Sequence, residues 1–201
     1  MMYSFFKRLF DIAFSFAGLV ALSPLLLVIA VLIKIDSAGP VFYRGVRVGK
    51  DGKLFRTFKF RTMAMDAEKI GGPSTADDDP RITRIGKFIR KYKIDELPQL
   101  IDVLRGTMSF VGPRPEVPHY VDMFTADEKA ILSARPGITD WATLWNPDEG
   151  AILAGSTDPE KTYVEKIRPE KIRLQLKYIN ERSFAVDMNI LFQTLAKLMG
   201  G

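Results

Sequence analysis

The chain has 201 residues, enough for one domain of ordinary size. It has no cysteine and one histidine, which excludes a disulfide framework, a cysteine nucleophile, a thiolate zinc site and a site of several histidines. The formal charge of +5 and the 47% of hydrophobic residues describe a mildly basic globular chain, not a disordered one.

The N-terminal segment is long and apolar. Residues 9–33 contain one ionisable side chain, Asp11, and a membrane-spanning helix needs about 20 predominantly apolar residues. A cleaved signal peptide is the less favoured alternative, because its apolar core is usually only about 7–15 residues long.

The flanks and the middle of this segment bear on its topology. Basic residues precede and follow it, and positive charge favours the cytoplasmic side at both ends. Ser23-Pro24 lies near its middle; proline bends or breaks a helix, and a serine hydroxyl can bond a carbonyl left free in the preceding turn. A helix that bends and returns to the same face and a single-pass helix with a kink are nearly even alternatives.

The polar part of the chain begins with strand and loop signals. Residues 41–48 and 54–62 are rich in strand formers, and the Asp-Gly pair between them is typical of a hairpin turn. Residues 71–80 predict a loop, whose three successive aspartates we interpret as a solvated acidic turn rather than a metal site. Residues 82–92 predict a basic helix.

A helix is predicted over residues 95–106. Pro98 suits its first turn and Gly106 suits its end. Asp95 and Glu96 then lie at the N-terminus, where the helix dipole favours negative charge; capping alone is the simpler explanation of the pair. One buried apolar face is predicted, formed by Leu97, Leu100, Ile101 and Leu104.

The C-terminal half contains two proline-rich turns and a final helix. Residues 107–118 predict a stiff loop that fixes Arg114, which suits phosphate recognition but equally a structural turn. Residues 135–137 predict another rigid turn. Residues 183–199 predict an amphipathic helix, for which a membrane interface and a protein core are equal alternatives.

Several motifs occur in a fixed order, at residues 58–63, 79–83, 95–100, 108–115 and 135–139. Through these motifs the chain resembles the small monotopic bacterial phosphoglycosyl transferases. The resemblance covers nearly the whole chain, which is similar in size to the minimal catalytic unit of that family. The resemblance implies an α+β fold with short strands and amphipathic interfacial helices. It also implies a re-entrant membrane helix hairpin over residues 1–36, broken at Ser23-Pro24, and a small compact catalytic domain over residues 37–201.

The resemblance further implies a reaction. A UDP-sugar would give its sugar 1-phosphate to polyprenyl (undecaprenyl) phosphate through a covalent aspartyl intermediate, with Mg²⁺ present and UMP released. Matching positions make Asp95 the nucleophile, Glu96 a catalytic residue and Mg²⁺ ligand, and Asp187 a supporting residue. Basic residues of the family that would bind substrate phosphate match Lys59, Arg90 and Arg114; a solvated strand position is the alternative for Lys59.

The implied setting is the cytoplasmic face of the bacterial inner membrane, in contact with membrane lipids, at the first membrane step of glycoconjugate assembly. The resemblance does not decide whether the protein forms a homodimer. The implied chemistry is physically consistent, because a carboxylate that attacks a diphosphate needs cations to offset like-charge repulsion.

The chain departs from the family pattern at three places. Asp140 precedes Trp141 where glycine is common, the segment at residues 140–168 is longer than in the smallest members, and Asp102 lies where asparagine is usual. These departures leave the transferred sugar undetermined. A non-catalytic membrane adaptor and a glycosyl transferase that releases UDP are the alternatives, whereas a nucleic-acid role is not expected from a modest, interleaved charge.

Overall fold

A computed structural model describes residues 2–67 and 75–199. The described part is mixed α and β, with many helices and short strands in separate two-stranded pairs, as an α+β fold requires. The helices are α1 (Met2–Asp36), α2 (Arg84–Lys91), α3 (Gln99–Arg105), α4 (Pro118–Val121), α5 (Trp141–Trp145), α6 (Glu149–Leu153), α7 (Pro159–Thr162), α8 (Arg168–Glu181) and α9 (Phe184–Met199). The strands are β1 (Phe42–Tyr43), β2 (Val46–Val48), β3 (Leu54–Arg56), β4 (Lys59–Phe60), β5 (Ser109–Val111) and β6 (Gly137–Thr139).

The apolar N-terminal segment forms one helix of 35 residues, long and apolar enough to cross a membrane by length and composition. Helical structure continues through Pro24, so no loop divides α1 into the two helices of a hairpin. The Ser23 hydroxyl donates to the Val20 carbonyl at 2.8 Å. This is the carbonyl that Pro24 leaves without an N–H partner, so the expected compensation by Ser23 is confirmed.

A narrow stripe of α1 packs on the rest of the protein. Its buried residues include Asp11, whose Oδ1 accepts from the Ser109 hydroxyl and the Phe110 N–H, both at 3.1 Å. The one ionisable side chain of the apolar run thus fixes α1 to β5. The remaining surface of the helix exposes large apolar side chains: Phe5, Phe6, Leu9, Ile12, Phe14, Phe16, Val20, Leu25, Leu27, Val28, Val31, Leu32 and Ile35.

Both ends of α1 contact the polar domain. Near the beginning, the Arg8 guanidinium donates to the carbonyls of Val103 at 2.6 Å and Leu104 at 2.8 Å, at the end of α3. At the other end, the Asp36 carboxylate accepts from the Ile85 N–H at 3.1 Å, at the beginning of α2. The same domain therefore holds the helix on both sides of its proline.

The predicted hairpin is confirmed. Strands β2 and β3 pair antiparallel, and β1 pairs antiparallel with β4 outside them. The turn residues Asp51 and Gly52 both have positive φ, 57° and 75°, as a type I′ hairpin turn requires. The pairing of β4 with β1 places Lys59 beside the turn that follows α2.

The interpretation of residues 107–118 as a loop throughout is wrong for their first part. Strand β5 lies there and pairs in parallel with β6, at the second predicted turn. The backbones of the two segments lie so close together that a Cβ atom on Gly112 or Gly137 would overlap the backbone of the other segment. A three-residue strand with a partner far along the chain leaves little periodicity, which is why the pattern predicted only a turn.

The predicted helices are largely confirmed, with one correction. Helix α3 ends at Gly106, which adopts the left-handed conformation with φ 83°. Its buried residues are Gln99, Leu100, Asp102 and Val103, whereas three of the four residues of the predicted apolar face are only half-buried. The spacing of apolar residues does not show which polar side chains find a distant hydrogen-bond partner and become buried. Asp102 is an example, because it accepts a hydrogen bond from the Phe58 N–H at 2.7 Å.

The final helix packs on the core, as one of its two alternatives predicted, and also exposes apolar side chains. Ile190 of α9 is fully buried against Val111 and Tyr178. Phe192 and Leu195 are exposed. One face of α9 therefore belongs to the core, and another offers apolar surface. The first part of the predicted acidic loop, at residues 71–74, lies outside the described residues.

Candidate active site

The candidate acidic pair lies in a tight turn between α2 and α3. Lys93 has a left-handed backbone with φ 54°, and a 3₁₀ turn, Ile94–Glu96, follows it directly. The pair therefore lies just before α3 rather than in its first turn. Asp95 is 2% exposed, which is deep burial for a carboxylate and requires a partner.

Lys59 supplies that partner. Its Nζ lies 2.8 Å from Asp95 Oδ2 and 3.2 Å from Glu96 Oε1. A solvated strand position is therefore the wrong interpretation of Lys59. The antiparallel pairing of β4 with β1 holds the lysine in place against both carboxylates.

Arg114 is the second cation that pairs with Glu96. Its Nη1 donates to Glu96 Oε2 at 3.0 Å, and its Nη2 donates to Glu96 Oε1, which makes the pair bidentate. The backbone of Arg114 is also fixed, because its N–H donates to Asp140 Oδ2 at 3.1 Å and its carbonyl accepts from Gln175 at 3.2 Å. The stiff loop predicted around this arginine thus delivers a rigidly held guanidinium.

The charges in this cluster stabilise one another. Burial alone would raise the pKa of Glu96, but the charges of Arg114 and Lys59 outweigh it and hold that pKa well below its usual range. The Glu96 charge in turn raises the pKa of Arg114 above its usual value, against the opposing effect of burial. Glu96 is therefore ionised at neutral pH.

One carboxylate oxygen of the cluster has no partner. Asp95 Oδ1 is buried and accepts no hydrogen bond. Among the described residues no group of three or more metal-ligating side chains occurs. The adjacent carboxylates of Asp95 and Glu96 nevertheless fit Mg²⁺, which is commonly bound by one or two carboxylates together with substrate phosphates and water.

The structure does not bring Arg90 into this cluster. It lies half-buried in the last turn of α2, and within the described ranges it forms no hydrogen bond or ion pair with the acidic pair, Lys59 or Arg114. Asp187 also lies elsewhere. It is 2% exposed and accepts from Lys7 at 2.6 Å, Tyr3 at 2.9 Å and Tyr178 at 2.8 Å, which joins α1 to α8 and α9.

The acidic turn before α2 is only partly solvated. Asp77 and Asp78 are exposed as predicted, but Asp79 pairs with the Arg81 guanidinium through both of its oxygens. The hydrogen bonds from Arg81 lower the pKa of Asp79. Asp79 is therefore a structural ion-pair residue, and sequence reasoning did not identify that pair.

Other polar residues around Arg114 also escaped sequence reasoning. The loop that holds Arg114, residues 112–117 and called the arginine loop, includes Glu116, whose partner Lys171 lies in an unremarkable stretch of α8. Asp140 stood out only as a departure from the family pattern, yet it caps α5 and accepts from the Arg114 N–H. The short spacing of a cap could have been recognised, whereas long-range partners have no local signal.

Comparisons with known proteins agree on the nature of the chain. A sequence profile described as bacterial sugar transferase matches residues 2–201. The chain is 39% identical over 202 residues to the UDP-N-acetylgalactosamine-undecaprenyl-phosphate N-acetylgalactosaminephosphotransferase of Aeromonas hydrophila, which covers 99% of this chain and 45% of that protein. It is also 39% identical over 197 residues to the UDP-glucose:undecaprenyl-phosphate glucose-1-phosphate transferase of Escherichia coli K12, covering 95% of this chain and 39% of that protein.

A relative of similar length also exists. The exopolysaccharide production protein PSS of Rhizobium leguminosarum bv. phaseoli is 38% identical over 203 residues, which cover 94% of this chain and 92% of that protein. The chain thus spans less than half the length of the two transferases above but nearly all of this third relative.

Proposed function

The chain belongs to the bacterial sugar transferase family, and from this membership we propose that it moves a sugar 1-phosphate from a UDP-sugar to undecaprenyl phosphate. The product would begin a membrane-bound glycan such as an O-antigen, capsule, exopolysaccharide or glycoprotein glycan. The observation that carries the proposal is the buried Asp95, which has one oxygen on Lys59 and one without a partner.

The proposed transfer has two steps at one carboxylate. An oxygen of Asp95 attacks the phosphorus that bears the sugar, the bond from that phosphorus to the bridging oxygen breaks, and UMP leaves with the electron pair. A phosphate oxygen of undecaprenyl phosphate then attacks the same phosphorus. Asp95 is released as a carboxylate, and undecaprenyl diphosphate sugar is the product. Two bulky substrates can thus use one small site in turn.

The cations of the site have a direct use in this scheme. A diphosphate and two carboxylates repel one another, so the attack needs positive charge beside the reacting phosphorus. Lys59 and the bidentate Arg114 already offset the charge of the carboxylates. In the proposed complex the donor phosphates share these two cations. Arg90, which forms no ion pair with this cluster among the described residues, stays a proposed contact to the donor phosphates.

We also propose that the enzyme uses Mg²⁺. The bound ion would supply further positive charge to the phosphates. Glu96 would hold it through its carboxylate, which leaves Asp95 Oδ1 for the attack on phosphorus. Glu96, kept ionised at neutral pH by Arg114 and Lys59, suits a hard cation.

The proposed setting is the cytoplasmic face of the bacterial inner membrane. The large exposed apolar surface of α1 supports contact with lipid, since a surface of this size is unfavourable in water. The contacts of Arg8 and Asp36 with one domain support a monotopic arrangement, in which α1 bends at Ser23-Pro24 and both of its ends stay on one side.

Topology can be tested with single cysteines, because the chain has none of its own. Met2→Cys and Lys50→Cys variants are both expected to react with a membrane-impermeant maleimide only in inside-out vesicles. The physical reason is that the domain holding both helix ends lies on the cytoplasmic side. Reaction of Met2→Cys from the outer face, with Lys50→Cys still reacting from the inner face, would establish a single-pass helix instead.

The activity itself is tested by its nucleotide product. Purified protein in detergent, given undecaprenyl phosphate, Mg²⁺ and a panel of UDP-sugars, is expected to release UMP with at least one donor. Omission of the lipid should leave only a single turnover, since the sugar phosphate would stay on the enzyme. Release of UDP would point to a glycosyl transferase, and release of neither nucleotide to a non-catalytic membrane adaptor.

A further inference from the structure

A second charged centre adjoins the candidate active site, around Lys171 of α8. This lysine is 4% exposed, and its Nζ lies 2.5 Å from Glu116 Oε1 and 2.8 Å from Glu149 Oε1. The Tyr163 hydroxyl lies 3.3 Å from the same Nζ and donates to Glu116 Oε1 at 2.9 Å. All three donors of the buried ammonium group thus have an oxygen partner.

The two carboxylates belong to different segments. Glu116 follows Arg114 by two residues in the arginine loop, and Glu149 is the first residue of α6, inside the long segment at residues 140–168. Lys171 therefore joins the arginine loop to this segment. A second ion pair lies nearby, between Lys93 Nζ and Asp148 Oδ1 at 3.6 Å. It links the turn that carries Asp95 to the residue that precedes Glu149.

The linking carboxylate also lies within electrostatic range of the candidate site. Burial opposes its ionisation, but the charges of Lys171 and then Arg114 lower the pKa of Glu149, while the charge of Glu96 acts in the opposite direction. Burial would likewise lower the pKa of Lys171, yet Glu116 and Glu149 raise it well above its ordinary value. Lys171 and Glu149 are therefore both charged at neutral pH.

Stability alone gives little reason for such a bridge. A buried ion pair is often no more stabilising than apolar side chains of the same volume, because desolvation offsets the attraction. What a buried bridge does fix is geometry, here the spacing between the arginine loop and the 140–168 segment. An arginine that binds phosphate through two parallel N–H donors must be held in a fixed position, and this position depends on that spacing.

We propose that Lys171 and Glu149 are positioning residues that hold the 140–168 segment against the arginine loop and so aim Arg114 at the donor phosphates. The part of the segment at the beginning of α6 then supports the donor site rather than forming a surface insertion. The catalytic role of these two residues rests on the proposed function. The spacing that their ion pair imposes is independent of that function.

The kinetic test uses Glu149→Gln, which removes the charge but keeps the size and leaves Lys171 paired with Glu116. We expect kcat/KM for the UDP-sugar to fall about tenfold, mainly through KM, because a small displacement of Arg114 weakens phosphate binding. Glu165→Gln is the matched control, since Glu165 is exposed and its ion-pair partner within the described ranges is Lys161, at 3.9 Å. This control is expected to keep both the parent kinetics and the parent thermal midpoint.

A double-variant cycle separates positioning from a general structural effect. Combined with Arg114→Lys, Glu149→Gln is expected to reduce kcat/KM by less than the product of the two single reductions, because it acts through the arginine. Multiplicative effects would overturn the proposal.

A distance measurement gives a readout that needs no activity. Spin labels on cysteines at Lys50 and Ala151, both exposed, report the spacing between the hairpin and α6. The hairpin is tied to the arginine loop, since the Val48 N–H donates to the Glu116 carbonyl at 2.9 Å. Glu149→Gln is expected to broaden the distance distribution, and Glu165→Gln to leave it unchanged.

The two proposals fail separately. If Glu149→Gln matches the control in both kinetics and distances, the positioning role is overturned. If the parent protein releases no UMP but Glu149→Gln still broadens the distances, the proposed function fails and the bridge stands as the element that sets the spacing.

Discussion

Replacement of Asp95 by asparagine is expected to lower kcat by about 10³-fold or more, which is the usual scale for loss of a catalytic nucleophile. The amide oxygen has nearly the same size and position but cannot form the covalent link to phosphorus. UMP release with undecaprenyl phosphate and Mg²⁺ measures the rate. Intact-mass measurement after exposure to the UDP-sugar alone should show an added sugar phosphate on the parent protein and none on the Asp95→Asn variant.

The same substitution at Asp102 gives a matched control. Asp102 is also buried, belongs to the helix that follows, and accepts the Phe58 N–H through an oxygen that asparagine also offers. Burial raises the pKa of Asp102, so a neutral side chain costs little there. Asp102→Asn is expected to keep parent activity. Full turnover by Asp95→Asn would remove Asp95 from the proposed mechanism.

Replacement of Arg114 by methionine is expected to lower kcat/KM about 10²-fold, equivalent to about 2.7 kcal/mol of transition-state stabilisation. Methionine keeps much of the apolar stem but removes both hydrogen bonds to Glu96 and the charge beside the phosphates. Arg173→Met is the control, because Arg173 makes a similar bidentate pair with Glu170 on the exposed surface, far from any proposed chemistry. That variant is expected to match the parent.

The pH dependence of Arg114→Met has a predicted sign. Arg114 holds the pKa of Glu96 down together with Lys59, so removal of Arg114 raises that pKa against the remaining effect of Lys59. Activity that requires ionised Glu96 would then be lost at a higher pH on the acid side. The acid limb of the kcat/KM profile should therefore move to higher pH in Arg114→Met and stay in place in Arg173→Met. An unmoved limb would show that ionisation of Glu96 is not required.

Local patterns predicted the elements whose cause is local. The hairpin turn needs two residues with positive φ, and an Asp-Gly pair adopts that conformation readily. Helix α2 has a threonine cap and α3 ends at a left-handed glycine, both readable from neighbouring residues. The parallel pairing of β5 with β6 was not predictable in this way, since each strand is short and its partner lies far along the chain.

The apolar helix, the acidic pair and the arginine loop could be predicted from the sequence, because each is a property of a few consecutive residues. Folding alone brings Lys59 and Arg114 onto Glu96, leaves Arg90 without an ion pair to this cluster among the described residues, and joins the arginine loop to Glu149 through Lys171. Burial of a charge is set by partners brought together by folding, and those partners leave no trace in local spacing.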